Sequence, residues 1–424
     1  MTEHKFCHAE ARVDRQILHI DMNNYYASVE SMYNPELKKN PLAVCGDPVN
    51  RHGIVLAKNE LAKRFGVKTG EAIWEAKLKC PRLVIVPPQY SRYIRFSRLA
   101  RRIYAEYSDR VEPFGLDENW VELTHCSRSD GEAVAEELRC RIRRDLGLTV
   151  SIGVSYNKIF AKLGSDMKKP DAVTVIRRDS FREKVWPLPV SDLLGVGPAT
   201  TRKLGRIGIR TIGALANLEP VLLRKLFGVI GLMLHDFANG KDTSPVAIEG
   251  RELPIKSIGN SITAAHDLTH ETEIRAVAQM LSESVAARLR DAGYLAGTIA
   301  VSLRDYQLYN FERQMPLAKP TQLAAELTEA ASALLLANFR EGQWIRSLGV
   351  RASNLIPAAD MRQLSFLADE LARESRLAFE QTMDSLRERY GGLIVRSGLS
   401  LMDRTLTEHS IKAENIIHPV AYGR

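Results

Sequence analysis

Two apolar runs in this sequence end in carboxylates, although they lie far apart along the chain. Asp21 follows the first run, within the segment His19–Tyr26, and Asp117 and Glu118 lie in the second, within Leu116–Trp120. Acids at the end of a buried strand lose hydration energy unless a cation or a proton neutralises them. A fold that brings the two runs together therefore predicts a metal site, whereas an isolated Asp-Glu pair is more often a solvated turn.

The length and charge of the chain limit its class. At 424 residues the chain is too long for one ordinary core, and chains of this size form roughly two to four domains. Its 26% charged and 45% apolar residues are typical of a globular protein. The net charge of +8 favours a polyanionic partner, with nucleic acid as the first candidate.

Cysteine usage and apolar runs indicate the compartment. The cysteines are odd in number and form no Cys-x-x-Cys pair, which predicts thiols in a reducing cytosol. No run approaches the roughly 20 apolar residues of a membrane span, and the charged N-terminus lacks the apolar core of a signal peptide. We therefore expect a cytoplasmic protein with no membrane partner. The five cysteines are Cys7, Cys45, Cys80, Cys126 and Cys140.

The N-terminal part of the chain alternates apolar runs with helical patterns, which predicts an α+β catalytic core. In this core Asp21 lies between a strand and a helix, and Asp117 lies on a later strand. The predicted strands are 17–20, 42–45, 53–56, 84–86 and 149–155, and the predicted helices are 25–33, 59–65, 90–107 and 130–145.

The next segment has the pattern of a helix-hairpin-helix. The residues Gly195 to Ala199 predict a tight turn before a helix, and a second turn follows at 207–209. The amides of such a turn and of the adjoining helix N-terminus can bind a DNA phosphate without reading its sequence. A linker with Lys241–Pro245 precedes a second α+β domain over 253–355. This domain has a predicted strand at 297–303 and predicted helices at 273–292 and 321–337, and a charged helix follows at 369–390.

The carboxylates suit phosphoryl transfer assisted by two metal ions. Two acids from separate segments and a third beside them can hold a pair of Mg²⁺ ions through oxygen ligands. Such ions orient phosphates, stabilise the leaving oxygen and lower the pKa of an attacking hydroxyl. We expect Asp21 and Asp117 to bridge both ions and Glu118 to bind the ion at the attacking 3′-hydroxyl. The Met22 carbonyl oxygen is expected to bind the nucleotide-side ion.

A third segment connects these motifs to a known family. It runs from Ser151 to Pro170 and reads SIGVSYNKIFAKLGSDMKKP. With this segment the chain closely resembles the Y-family translesion DNA polymerases of the DinB or DNA polymerase IV type, over residues 15–367. The resemblance implies a right-hand architecture. Its parts are a palm (1–32 and 89–177), small fingers (33–88), a helix-hairpin-helix thumb (178–243), a linker (244–252), an α+β little finger (253–355) and a C-terminal tail (356–424).

The resemblance also implies roles for residues near the carboxylates. Lys169 matches the lysine that contacts the incoming triphosphate. Tyr26 matches the steric gate, an aromatic ring that leaves no room for a 2′-hydroxyl, and Tyr25 lies beside it in the predicted nucleotide site. Without this match, both tyrosines would be interpreted as core aromatics.

The chain departs from the family at the expected triphosphate grip. Where the family often has a tyrosine and an arginine, this chain has Glu60 and Lys63. Lys63 can still pair with phosphate, as a point charge rather than a bidentate fork. Glu60 would repel phosphate, so we expect it to turn outward.

The resemblance implies DNA and a sliding clamp as partners. We expect Gly195 and Gly197 of the thumb, and Arg304 and Arg351 of the little finger, to bind DNA. The peptide Gln363-Leu364-Ser365-Phe366-Leu367 resembles the one by which bacterial polymerases bind the clamp, although so short a match also arises by chance.

Together the motifs predict a template-directed, low-fidelity DNA polymerase that uses deoxynucleoside triphosphates and two Mg²⁺ ions in translesion synthesis and DNA repair. A DNA-binding accessory protein that has lost catalysis is one alternative, and the intact carboxylates argue against it. A nucleotidyl cyclase is another, but it has no use for a DNA backbone grip at Gly195 to Ala199. We expect a nucleoid-associated monomer in the bacterial cytoplasm.

Overall fold

The computed structural model describes most of the chain as two compact units. The described residues are 14–46, 53–124, 130–250, 254–340, 342–360, 368–401 and 403–407. The first unit lies mainly within residues 14–250 and the second mainly within 254–407. Among these residues, no helix combines the length and the apolar character that a membrane crossing requires.

The first unit mixes strands and helices, as the sequence predicts. Its elements are β1 (Ile17–Met22), α1 (Tyr25–Tyr33), β2 (Leu42–Cys45), β3 (Val55–Lys58), α2 (Glu60–Arg64), α3 (Ile73–Lys79), β4 (Val84–Val86), α4 (Tyr90–Ala105), β5 (Val111–Pro113), β6 (Glu118–Glu122), α5 (Gly131–Leu146), β7 (Val150–Ser155), α6 (Lys158–Met167), β8 (Val173–Ile176), α7 (Phe181–Val185), α8 (Pro198–Arg206), α9 (Ile212–Ala216), α10 (Pro220–Phe227) and α11 (Val229–Ala238).

A five-stranded sheet with the strand order β5-β6-β1-β7-β8 forms the centre of this unit. Strand β1 pairs antiparallel with both β6 and β7, whereas β8 runs parallel to β7. Side chains alternate between the two faces of a strand. Leu18 and Ile20 of β1 therefore join the core that the sheet shares with α1, α4 and α5. His19 and Asp21 lie on the opposite face, which α6 partly covers.

Helix α6 approaches this second face closely because Gly153 of β7 has no side chain. A Cβ atom at Gly153 would lie 1.9 Å from the carbonyl oxygen of Ala161, so any larger residue would push the helix away. The helix begins after Asn157, whose side chain accepts a hydrogen bond from the Phe160 N–H. This packing fixes the α6 backbone next to the acidic end of β1.

Two smaller parts complete the first unit. A three-stranded sheet in the order β3-β2-β4 lies in the range predicted as fingers. Helices α7 to α11, in the range predicted as thumb, share an apolar core with residues of α6 and β8. The predicted boundaries between palm, fingers and thumb stay predictions.

The beginning of the predicted linker is held on the first unit. Val246 is buried against Ile17 and Trp120. The Arg15 side chain donates to the Ser244 carbonyl oxygen at 3.0 Å. Residues 244–246 therefore belong to the packed surface of the unit.

The second unit is a four-stranded antiparallel sheet with helices packed against it. The strand order is β11-β10-β12-β9, and apolar residues of α12 and α13 share one core with the sheet. Its elements are β9 (Ser257–Leu268), α12 (Glu271–Asp291), β10 (Tyr294–Asp305), β11 (Asn310–Thr321), α13 (Ala324–Asn338), β12 (Ile345–Pro357), α14 (Ala368–Tyr390) and α15 (Arg404–Thr407). The α+β class predicted for this region is confirmed.

The C-terminal helices belong to this unit, although the sequence indicated a tail from residue 356 onward. Arg290 of α12 binds Glu380 and Asp384 of α14 at 2.5 and 2.7 Å. Leu406 of α15 is fully buried in the core of the unit. The polar composition of the region hides these contacts, because charged pairs rather than an apolar stripe hold α14.

Candidate active site

The acids of the two apolar runs meet at one end of the central sheet. Asp21 lies directly opposite Glu118 in the antiparallel register of β1 and β6. Residues that are paired in this way project from the same face of a sheet. The Met22 N–H donates to the Asp117 carbonyl oxygen at 3.1 Å, which holds Asp117 beside the end of β1. The structure therefore brings the three predicted acids together.

Lysine side chains bind two of these carboxylates. Lys169 Nζ lies 2.6 Å from Asp21 Oδ2 and 2.7 Å from Asp166 Oδ1. Lys162 Nζ lies 2.6 Å from Glu118 Oε2. The lysine expected at the triphosphate thus lies at the acidic end of the sheet, and a second lysine accompanies it.

A buried imidazole lies behind Glu118. His19 Nδ1 is 2.8 Å from Ser165 Oγ, and His19 Nε2 is 3.4 Å from Glu118 Oε2. The imidazole ring packs edge-on against Trp120, with 5.2 Å between ring centroids. His19 is fully buried, whereas the Glu118 side chain is 21% exposed, so these neighbours occupy the interior side of the site.

Burial and neighbouring charges together shift the pKa values of the three acids in different directions. Desolvation and the charges of Glu118 and Asp117 raise the pKa of Asp21 to about 7, against the influence of its lysine partner. Desolvation and Glu118 raise the pKa of Asp117 to about 6. Desolvation also opposes ionisation of Glu118, but His19 and Lys162 outweigh it and lower the pKa of Glu118. The nearby lysines therefore do not fully compensate Asp21 and Asp117 for burial and mutual repulsion, and a bound cation would supply the missing positive charge.

The acids fit a cation site that a substrate completes. Mg²⁺ typically binds one or two carboxylates together with substrate phosphates and water, rather than a cage made only by protein. Within the described part of the chain, no three acidic, histidine or cysteine side chains form such a cage. The lysine contacts agree with a site that is incomplete without substrate. Lys169 binds an oxygen of Asp21, and Lys162 binds an oxygen of Glu118. A cation at these oxygens must replace the two ion pairs.

The two predicted nucleotide-site tyrosines differ in exposure. Tyr25 is buried and its hydroxyl donates to the Tyr93 carbonyl oxygen at 2.5 Å, so its ring is a core aromatic. Tyr26 is half-buried and stacks on the Tyr93 ring, with centroids 4.1 Å apart and planes 7° apart. Burial and the nearby Asp117 raise the pKa of Tyr26. Packing therefore fixes the Tyr26 ring close to the acids.

The expected triphosphate grip has an unexpected arrangement. Glu60 does not turn away, since its Oε1 accepts a hydrogen bond from Asn24 Nδ2 at 3.2 Å. Lys63 Nζ lies 3.7 Å from the same oxygen and is about half exposed. Asn24 has a left-handed backbone with φ of 51° and directly precedes α1. Glu60 thus bridges the α2 segment and the turn before α1.

The residues predicted to bind DNA lie in both units. Gly195 has φ of +90°, and Gly197 caps the N-terminus of α8 with Pro198 at its first position. In the second unit, Arg304 and Arg351 lie on the face of the sheet opposite the core, because their strand neighbours Leu303 and Val350 are buried in it. Arg351 is paired with Glu312. The predicted clamp peptide, residues 363–367, lies outside the described residues.

Comparison with known proteins agrees with this arrangement. The model of the impB/mucB/samB family matches residues 20–166, and the model of the C-terminal domain of that family matches residues 255–366. The DNA polymerase IV of Acetivibrio thermocellus is 49% identical over 394 residues, which cover 92% of this chain and 99% of the relative. The chain belongs to the impB/mucB/samB family of Y-family DNA polymerases. DNA polymerase IV 1 of Bacillus subtilis is 36% identical over 91% of this chain and 93% of its own length.

The Y-family fold is also seen in solved structures. A Y-family DNA polymerase chimera of Dbh and Dpo4 matches with a TM-score of 0.71 and 24% identity, over 80% of this chain and 99% of that chain. This likeness confirms the predicted right-hand polymerase fold. The family model for residues 20–166 includes all three acids and Lys162, and it ends before Lys169.

Sequence reasoning missed several residues of this Y-family site. They are His19, Lys162, Ser165 and Asp166. A signal for His19 is available, because it lies two residues before Asp21 on a strand and must share its face. Lys162 and Asp166 are four residues apart on α6 and so lie on one side of that helix. Their approach to the acids depends on the α6 packing, which no local pattern shows.

Proposed function

We propose that this chain extends a DNA primer at its 3′-end by template-directed addition of deoxynucleotides, in translesion synthesis and DNA repair. As a member of the Y-family with DNA polymerase IV relatives, the chain is a DNA-directed DNA polymerase. The observation that supports the proposed chemistry is the register of β1 and β6, which places Asp21 opposite Glu118 with Asp117 beside them. The low fidelity of the proposed reaction follows from the family.

The proposed cofactor is a pair of Mg²⁺ ions. The Asp21, Asp117 and Glu118 carboxylates, with the Met22 carbonyl oxygen, would hold them. When bound, these ions supply activation of the 3′-hydroxyl and neutralisation of the developing phosphate charge. Two of the acids have a raised pKa, so they gain the most from a nearby cation.

The chain's own side chains would position the nucleotide. Lys169 lies on Asp21 and is within reach of an arriving triphosphate, to which it would transfer its ion pair. Lys63 of α2 would contribute a second positively charged side chain to the nucleotide site. The Tyr26 ring, fixed on Tyr93, would lie under the sugar and exclude a 2′-hydroxyl.

The proposed DNA contacts use backbone amides and small side chains. Gly195 and Gly197 form an exposed turn before α8, which suits a phosphate contact independent of sequence. On the open face of the second unit, Ser302 and Gly349 lie between Arg304 and Arg351, and Ser347 lies opposite Arg304. Such a face, with small polar residues and arginine, suits a nucleic-acid groove.

One further partner, the oligomeric state and the compartment complete the proposal. The peptide at 363–367 is proposed to bind the sliding clamp, which would tether the polymerase at the primer end. The chain is proposed to act as a monomer in the bacterial cytoplasm, at the nucleoid. The organisms of its relatives are bacteria.

Primer extension tests the proposed reaction. Purified chain, a primer–template, Mg²⁺ and four deoxynucleotides should give template-directed extension, and an Asp117→Ala/Glu118→Ala double variant should give none. A Tyr26→Ala variant should incorporate ribonucleotides at least about tenfold better than the unchanged chain, since a lost steric clash of this kind is worth more than roughly 1.4 kcal/mol. DNA binding without extension by the unchanged chain would instead favour the accessory-protein alternative.

A further inference from the structure

We propose that Lys162 is a positioning residue that holds Glu118 in the metal-free enzyme and competes with the divalent cation for that carboxylate. The inference rests on the proposed function, because it concerns the proposed metal site. It assigns a positioning role to a side chain that lies on the Glu118 carboxylate.

The contact between Lys162 and Glu118 is short and sheltered. Lys162 Nζ lies 2.6 Å from Glu118 Oε2, and the lysine side chain is 14% exposed. Phe114 covers the ammonium from another side, with 5.3 Å from Nζ to the ring centroid. Ion pairs in such partly buried places are screened less by water and salt than surface pairs. The pair therefore contributes to the energy of the metal-free site.

The α6 backbone cannot carry Lys162 away from the acids. Gly153 lets the helix pack directly on the sheet, and a Cβ at that position would already collide with the Ala161 carbonyl. Ser165 Oγ donates to the Lys162 carbonyl oxygen at 2.7 Å and also binds His19. A cation that takes the Glu118 oxygen must therefore coexist with an ammonium group that can move only by side-chain rotation. The cation and the Lys162 ammonium group would repel each other, because both are positively charged.

The two lysines of the site differ in the ion pairs that they keep when a cation displaces them. Lys169 has a second acid, Asp166, at 2.7 Å, so it keeps one ion pair after it leaves Asp21. Among the described residues, Lys162 pairs with no carboxylate other than Glu118. Displacement of Lys162 thus costs the enzyme an ion pair, and this cost lowers the cation affinity at Glu118.

A direct measurement of Mn²⁺ binding tests the inference. The full chain would be titrated with Mn²⁺ while the electron paramagnetic resonance signal of unbound Mn²⁺ is recorded, with no DNA or nucleotide. Lys162→Gln should bind Mn²⁺ at least about fivefold more tightly than the unchanged chain, because the competing charge is gone. Lys168→Gln removes the same charge from the exposed residue directly after α6 and should change the affinity less than about twofold.

A second variant keeps the test informative if Lys162→Gln folds poorly. Lys162→Arg keeps the charge and offers a bidentate contact to the carboxylate. It should therefore hold Glu118 more strongly and bind Mn²⁺ a few times more weakly than the unchanged chain. Thermal melting of each variant establishes that it is folded before titration.

The possible results separate this inference from the proposed function. Equal or weaker Mn²⁺ binding by folded Lys162→Gln, with binding lost in Asp117→Ala/Glu118→Ala, would overturn the role of Lys162 alone. Equal binding by Lys162→Arg and the unchanged chain would do the same. Undiminished binding in the Asp117→Ala/Glu118→Ala variant would overturn the metal-site assignment and the inference with it.

Discussion

At the scale of single residues, the cluster of buried acids destabilises the folded protein electrostatically. Asp21 is buried, with its side chain 9% exposed, and lies beside two other carboxylates. One lysine does not fully compensate the cluster, so the pKa of Asp21 is raised to about 7. Sites that need such uncompensated groups for function are commonly a cost to stability.

This cost predicts how stability depends on pH. The folded pKa of Asp21, about 7, lies above the ordinary value of 3.8, so folding takes up a proton between these values and the free energy of unfolding falls as pH rises from 3.8 through 7. Asp21→Asn should therefore raise the free energy of unfolding of the metal-free protein by about 1–2 kcal/mol at pH 8. At pH 4 the substitution should change this free energy little. Urea unfolding in the presence of a chelator at both pH values measures this difference.

An exposed acid provides the control. Asp236 of α11 has a side chain that is 56% exposed, and Asp236→Asn should shift the free energy of unfolding by less than about 0.5 kcal/mol at either pH. A gain from Asp21→Asn that is equally large at pH 4 and pH 8 would contradict the argument, because a loss of ionisation cannot produce it.

At the scale of elements, the contact of α6 with β7 decides where the site residues meet. Lys162 and Ser165 reach Glu118 and His19 only because the helix lies directly on Gly153. Gly153→Ala places a methyl group 1.9 Å from a backbone oxygen, which a flexible side chain cannot relieve. We expect it to destabilise the first unit by about 3 kcal/mol or more.

Thermal or urea unfolding of Gly153→Ala, beside Gly205→Ala, checks this expectation. Gly205 lies in α8 with no atom within 4 Å of an added Cβ, so alanine there should be neutral or stabilising by up to about 1 kcal/mol. If the two variants have equal stability, close packing of α6 is not what holds the site together.

Elements with a local signal were predictable from the sequence. The strands at 42–45 and 84–86 and the helix at 25–33 coincide with β2, β4 and α1, because apolar runs and helical spacing mark them directly. The long strand β11 (Asn310–Thr321) was missed, because it is an edge strand with mostly exposed residues and two prolines. For the site, the acids were predictable from their motifs and His19 from its spacing to Asp21 on a strand, whereas the position of Lys162 depends on tertiary packing.

At the scale of the whole molecule, the described chain is two units with separate cores. The second unit closes its core with residues from the far C-terminal region, since Leu406 of α15 is fully buried in it. Glu380 of α14 accepts hydrogen bonds from the Ala324 N–H and from Arg290. Composition alone described this region as polar, yet it contributes both apolar burial and charge pairing to the unit.

A chain that ends after residue 367 tests this structural role, because it retains the predicted clamp peptide and loses α14 and α15. Arg290 would lose both acidic partners, and the core would lose the fully buried Leu406, a loss of the kind that costs about 2–5 kcal/mol. Hydrogen exchange in β10 and α13 should therefore accelerate strongly, while β1 and β6 of the first unit keep their protection. A chain that ends after Thr407 is the matched control and should exchange like the full chain. Equal protection of β10 in both truncated chains would mean that the core of the second unit does not need its C-terminal helices.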